Sequence, residues 1–169
     1  MHPTLRAAVV AMALTLAPSL APAVTARRVS VTELTRASDD VVVGTVRRSV
    51  SRWEGRFIVT DHEVELGAVL KGRLAPRAVV VVRVAGGVVG RIGQQVPGAP
   101  SLADGGTYLL FLAGGVSDVR YLAHMTAAVV PVTLDAAGRV QASAPESLTE
   151  ATSGMALDRL AGAVRAVAP

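Results

Sequence analysis

The sequence predicts a small all-β protein with a short N-terminal helix and a C-terminal helix. Three observations carry this prediction. Residues 57–72, FIVTDHEVELGAVLKG, alternate apolar and acidic side chains, as a strand with one buried face does. The alternation breaks at Gly67, where a β-bulge would bend the strand and let the sheet close on itself. Short apolar runs between Gly, Pro and Asp recur afterwards, so we expect an OB-like Greek-key barrel of five to six strands, with a β-sandwich as the alternative.

Residues 1–26 have the features of a secretory signal peptide. A positively charged start precedes an apolar stretch, residues 7–16, which is too short to span a bilayer as a helix. Small residues favour cleavage after Ala23 or Ala26, and we prefer the later site. We therefore expect a secreted or periplasmic protein with no membrane span after cleavage; a retained N-terminal anchor is the alternative.

Composition excludes several classes of function. The chain has no cysteine, which excludes a lipid-modified cysteine anchor, thiol chemistry and cysteine metal sites. Its net charge of +4 is modest and its arginines are scattered, so we expect no nucleic-acid partner. One Trp, two Tyr and two Phe are too few to form a platform for stacked bases. The oligomeric state is left open.

The domain predicted over residues 27–143 begins with a short helix. Ser30 and Glu33 have the spacing of a capping box, which predicts a helix over residues 31–38 with Val31 and Leu34 buried. Strands are predicted over residues 40–50, 57–70, 78–84, 107–113, 119–125, 127–134 and 139–142.

Glycines mark the connections between these strands and one special position within them. Gly44, inside the first strand, predicts close approach of a neighbouring backbone. Gly55 suits the positive φ of a turn over residues 53–56, which would join the first two strands as a hairpin. Asp135 and Gly138 suit the loop of the last hairpin.

Two segments fall outside the strand pattern. Residues 85–106 are rich in Gly and Pro and have no helical or strand period, so they are predicted to form a long structureless loop, which is usually functional or mobile. After a linker over residues 144–152, residues 153–169 are predicted to form a helix capped by Ser153. The apolar stripe of that helix is formed by Leu157, Leu160, Ala161 and Val164.

Parts of residues 37–113 resemble a known family. The runs ASDDVVVGTV, VLKG and GGTYLLFL are similar to the OB-fold of tissue inhibitors of metalloproteinases and netrin-like modules. The run GGVVGRIGQQVPGAP followed by YLLFL also resembles uncharacterised exported bacterial proteins. The resemblance implies a shared barrel. The inhibitors chelate the protease zinc through an N-terminal cysteine, which is missing here, so we transfer no inhibitory residue.

His62 and His124 are the histidines that follow the predicted signal. His62 lies on the apolar face of the long strand, which favours a partly buried, hydrogen-bonded side chain. A metal site would require the histidines to meet Asp61 or Glu63, which point to the opposite face. The chain also lacks the G-x-S-x-G motif of many serine hydrolases. We assign no catalytic, cofactor-binding or metal-binding residue and expect no cofactor.

The leading hypothesis is an exported, non-enzymatic module that binds another exported or envelope protein. Loops on a rigid barrel are common contact sites, and an exposed Trp is a good anchor. The predicted interaction surface consists of Trp53, Gly86, Gly87, Arg91, Gln94, Gln95 and Pro97. The alternatives are a small hydrolase or metal-dependent enzyme that uses His62 or His124, and a protease inhibitor that acts through a loop.

Overall fold

The computed structural model describes residues 28–114, 118–149 and 155–168. Strands predominate, accompanied by the helices α1 (Val31–Ala37) and α2 (Leu157–Val167), so the predicted all-β class is confirmed. The predicted signal peptide and Ser153 lie outside the described residues. Neither described helix has the length and apolar character needed to cross a membrane.

The strands are numbered in chain order. They are β1 (Val29–Ser30), β2 (Asp40–Glu54), β3 (Phe57–Lys71), β4 (Val79–Ala85), β5 (Gly87–Val89), β6 (Ile92–Gln94), β7 (Thr107–Ala113), β8 (Val119–Leu122), β9 (Val129–Leu134), β10 (Val140–Ala142), β11 (Leu148–Thr149) and β12 (Met155–Ala156). A 3-10 turn, Thr126–Ala128, precedes β9. The strand predicted over residues 119–125 therefore ends early, and the next one begins at Val129.

Five of the strands close into a barrel. β2 pairs with β3, and β3 pairs with β4, in antiparallel fashion. β4 then runs parallel to β8, β8 returns antiparallel to β7, and β7 pairs with β2. A closed ring with one parallel pair, between its third and fifth strands, is the order of an OB-type Greek-key barrel. The closure through β8 favours this prediction over the sandwich alternative.

The longest element is the β2–β3 hairpin, in which each strand has 15 residues. Gly67 has no partner on β2, because the register shifts between its two neighbours, so the predicted bulge is confirmed. The turn is tighter than predicted, since Glu54 pairs with Phe57 and only Gly55 and Arg56 connect the strands. Gly55 has φ of +62°, which suits the first central position of a two-residue hairpin turn.

Two cores share strand β7. Leu110 and Leu112 point into the barrel interior, where they pack with valines of β2, β3 and β4. Leu109 and Phe111 point outward and pack against α1 and α2. Both faces of β7 are therefore buried, which explains why its sequence, TYLLFLA, is apolar without alternation.

The N-terminal helix agrees with its prediction. The backbone N–H of Glu33 donates to Oγ of Ser30 at 3.0 Å, so Ser30 is the N-cap, and both Val31 and Leu34 are buried. Burying these residues against the outward face of β7 seals the second core. Because β1 leads directly into α1, its pairing with β11 also fixes the start of the helix.

The C-terminal segments differ from their prediction. Residues 144–152 are not a plain linker, since Leu148 and Thr149 form β11 and pair with β1 in parallel. The last helix begins at Leu157 rather than near residue 155, because Met155 and Ala156 pair with β10. No side chain caps this helix, whose N-cap is Ala156. Three of the four residues of the predicted stripe are buried, and Leu157 is half-buried; the buried residues are Leu160, Ala161 and Val164.

Candidate functional site

The segment predicted as a structureless loop, residues 85–106, is partly ordered as a hairpin, so that prediction is wrong. β5 and β6 pair in antiparallel fashion around the turn Gly90–Arg91, and Gly90 has φ of +61°. Further along, Leu102 is buried in the interior core of the barrel. We call residues 86–102 the cover, because they pack across β3 and the end of β4.

Hydrogen bonds to strand β3 hold the cover on the β2–β3 hairpin. The backbone N–H of Ile58 donates to Oε1 of Gln94 at 2.7 Å, and the N–H of Gly86 donates to the carbonyl of Ile58 at 2.8 Å. The hydroxyl of Thr60 donates to the carbonyl of Gly86 at 2.7 Å. Because backbone and side-chain groups both take part, the cover has a fixed position on the barrel.

Close approach explains the paired glycines at the start of the cover. Gly86 has φ of +95°, and a Cβ there would lie 2.8 Å from the carbonyl oxygen of Gln94. Gly87 has φ of +136°, and a Cβ would collide with the hydroxyls of Ser51 and Thr60. Gly86, Gly87 and Gln94 were predicted as contact residues, yet here they attach the cover to the barrel.

Other predicted contact residues are exposed. Trp53 has 45% of its surface accessible, and Arg91, Gln95 and Pro97 are also exposed. The structure adds two aliphatic side chains that the sequence analysis missed, Val88 at 64% and Ile92 at 56% exposure. The β5–β6 register pairs Val88 with Gly93 and Ile92 with Val89, so the two exposed aliphatic side chains project from opposite faces of this hairpin. We call Trp53, Val88, Arg91 and Ile92 together the hairpin surface. The signal that could have revealed it is the run GVVGRIG, two short apolar pieces around a Gly-Arg turn.

A polar chain runs from the exposed Asp104 through the half-buried Ser49 to the buried His62 on the long hairpin. The β2–β3 register places Ser49 directly opposite His62, which is buried with 5% of its surface accessible. The hydroxyl of Ser49 donates to Oδ1 of Asp104 at 2.5 Å and lies 2.7 Å from Nδ1 of His62. Two backbone hydrogen bonds hold Asp104 in place: the N–H of Gly105 donates to the carbonyl of Val46, and the N–H of Val46 donates to the carbonyl of Gly106.

The order of these bonds fixes the proton on His62. A hydroxyl group has one proton with which to donate a hydrogen bond. Because Ser49 donates to the carboxylate of Asp104, its oxygen can only accept a hydrogen bond from the imidazole. Nδ1 of His62 therefore carries a proton. Burial lowers the pKa of His62, and the smaller opposing effects of Asp104 and Asp61 do not reverse this. The ring is thus neutral near pH 7, and Nε2 is a hydrogen-bond acceptor.

A cavity of about 230 Å³ lies between the cover and strands β3 and β4, and His62 lines it. Its walls are mainly aliphatic or backbone groups. They are contributed by Val84, Ala85, Gly86, Gly87, Gln94, Gln95, Val96, Ala99, Pro100, Ser101 and Leu102. No Asp, Glu, Lys or Arg side chain of the described residues lines this cavity.

The polar chain differs from a hydrolytic triad. In such a triad the histidine accepts the serine proton and the acid orients the far side of the imidazole. Here Ser49 donates to Asp104 instead, and His62 donates to Ser49. His124 does not line the cavity of His62, and its buried Nδ1 has no partner among the described residues. Within the same residues no group of three or more His, Cys, Asp or Glu is placed to hold a metal ion.

The acidic face of β3 is paired with arginines. Asp61 accepts from Arg83 at 2.6 Å and from Arg52 at 3.1 Å, and the Arg83 guanidinium is the main cause of a lowered Asp61 pKa. Farther along β3, Glu63 pairs with Arg48 and Glu65 with Arg47. These acids therefore link β3 to β2 and β4.

A charged depression of about 620 Å³ lies at the opposite end of β3. Asp40 pairs with Arg120 at 3.3 Å, and its other oxygen accepts the backbone N–H of Arg73. Lys71 donates to the carbonyls of Thr35 and Ser38, at the C-terminal end of α1. These bonds connect the helix to the barrel, so the charged groups already have structural partners.

Comparison of the chain with protein-family models, curated proteins and solved structures gave no match. The similarity to netrin-like modules and tissue inhibitors of metalloproteinases therefore stays a prediction from the strand sequences. The barrel, the cover and the polar chain at His62 are the features on which a function can be argued.

Proposed function

We propose that this protein is an exported, non-enzymatic module that binds a partner protein of the envelope or the medium through its hairpin surface. The observation that carries the proposal is the exposure of Val88 and Ile92 on a hairpin whose backbone is fixed to the barrel. A fixed backbone loses little conformational entropy on binding, so apolar contacts made by it contribute more fully to affinity.

The position of Trp53 extends this surface. Trp53 follows Ser51 on the same face of β2, and Oγ of Ser51 accepts the backbone N–H of Val88 at 3.3 Å. An exposed Trp, two aliphatic side chains and Arg91 therefore belong to adjoining hairpins. Trp and Arg are the residue types enriched among binding hot spots.

Export and the absence of catalysis are supported separately. The signal-like sequence of residues 1–26 supports export. The direction of the Ser49 hydrogen bond supports a non-enzymatic role. The Ser49 hydroxyl donates to Asp104 and not to His62, so His62 is not placed to remove its proton for nucleophilic attack by Ser49.

A capture experiment with matched variants tests the proposed surface. The protein is used as bait in envelope and medium fractions, alongside the Val88→Ser/Ile92→Ser variant. Leu134→Ser/Val140→Ser is the control, because these two aliphatic residues are also exposed, on the separate β9–β10 hairpin. We expect a protein captured by the wild type and the control and lost with the first variant. Equal capture by all three would reject the hairpin surface.

A further inference from the structure

We propose that the cavity beneath the cover binds a small neutral molecule with an apolar body and one hydroxyl group, which donates to Nε2 of His62. The inference goes beyond the protein-binding function, since it concerns the inner side of the cover. It assigns a ligand class to a cavity that the partner-binding surface does not use.

Nε2 of His62 is a hydrogen-bond acceptor that no described protein group uses. His62 is more than nine-tenths buried and lines the cavity, its Nδ1 is occupied by Ser49, and no hydrogen bond among the described residues reaches its Nε2. Nε2 is not among the buried polar atoms that lack a partner, so solvent reaches it, and the hydroxyl of a ligand would replace water there. Because Nδ1 is bonded to Ser49, Nε2 is the ring nitrogen that remains available to a ligand.

The lining of the cavity indicates the charge of the ligand. The described lining residues include no Asp, Glu, Lys or Arg, so a charged group would enter without an opposite charge. Burial of an unpaired charge is far more costly than burial of a hydrogen-bonded hydroxyl. A neutral ligand is therefore favoured over an anion or a cation.

The volume and the walls of the cavity indicate the size and polarity of the ligand. The volume of about 230 Å³ lies above the roughly 150 Å³ of a cavity that binds benzene and below the roughly 300 Å³ at which drug-sized pockets begin. Val84, Val96, Pro100 and Leu102 give the walls their apolar character. A molecule of about the size of phenol matches both the volume and the single acceptor.

Titration calorimetry with phenol and toluene tests the inference on the wild-type protein. The two probes are similar in size, and only phenol has a donor. We expect phenol to bind about tenfold more tightly than toluene, which is the upper range of what one net hydrogen bond provides. Equal affinities, or no phenol binding at concentrations up to about 10 mM, would overturn the proposal.

Three variants locate the binding. Ala99→Leu fills the cavity without touching the polar chain and should abolish phenol binding, whereas Ala144→Leu, at a half-buried alanine of the other core, should retain it. Phenol binding by Ala99→Leu at wild-type affinity would place the ligand elsewhere and refute the site. The Val88→Ser/Ile92→Ser variant should still bind phenol, so failure of the partner surface and failure of the cavity are told apart.

Discussion

Replacing Gly44 with Ala tests the close packing of β2 against β3 in the barrel. A Cβ at residue 44 would lie 2.5 Å from Cγ1 of Val64 and 3.0 Å from the carbonyl oxygen of Glu65. The second atom belongs to the backbone of β3, so movement of a side chain alone cannot relieve the contact. Overpacking of this kind costs about 1–3 kcal/mol. Reduced entropy of the unfolded chain returns about 0.4–1 kcal/mol, which leaves a net destabilisation of about 1–2 kcal/mol.

Urea unfolding followed by circular dichroism measures this change in the free energy of unfolding. The matched control is Gly162→Ala in α2, where nothing lies within 4 Å of the added Cβ. That helical substitution should stabilise the protein by about 0.5–1 kcal/mol, so the two variants are expected to have opposite signs. An unfolding free energy of Gly44→Ala equal to or above that of the wild type would refute the packing of β2 against β3.

Three further predictions concern charge, pH and processing. Asp61→Asn should lower the free energy of unfolding by about 1–2 kcal/mol in urea, because it breaks a half-buried ion pair with Arg83. Glu63→Gln, at an exposed ion pair, should lower it by under about 1 kcal/mol. Equal losses would contradict the difference in burial. Because the pKa of His62 is lowered in the folded state, the unfolded chain binds more protons below about pH 6.5, so stability should fall as pH drops from 7 to 5. The His62→Gln variant should show a weaker fall, and an identical pH dependence would contradict the burial of a neutral imidazole. The intact mass of the exported form should correspond to cleavage after Ala23 or Ala26, and an uncleaved mass would contradict the signal assignment.

Local patterns were sufficient to predict much of the barrel. The strand β7 and the bulge at Gly67 follow from apolar runs and from a break in alternation, both of which are visible within a few residues. The cover was missed because its strands have three residues each and depend on partners far along the chain. Gln94, for example, reaches Ile58 across 36 residues, and no local pattern indicates such a contact.

The polar chain at His62 was predictable only in part. Counting back from a two-residue turn at Gly55 and Arg56 pairs Ser49 with His62, so the tighter turn would have placed the two side chains together. Asp104 lies 55 residues from Ser49 in sequence and comes beside it only when β7 closes the barrel. Tertiary structure therefore determines the direction of the hydrogen bonds among Asp104, Ser49 and His62, on which the proposed ligand site depends.

The proposed ligand site requires that Nδ1 of His62 holds the ring proton and that Nε2 is free to accept a hydrogen bond. A long-range ¹H–¹⁵N correlation spectrum of the histidine ring at neutral pH reports the protonation of each nitrogen directly. We expect a protonated Nδ1 and an unprotonated Nε2 for His62. A proton on Nε2, with or without one on Nδ1, would contradict this expectation.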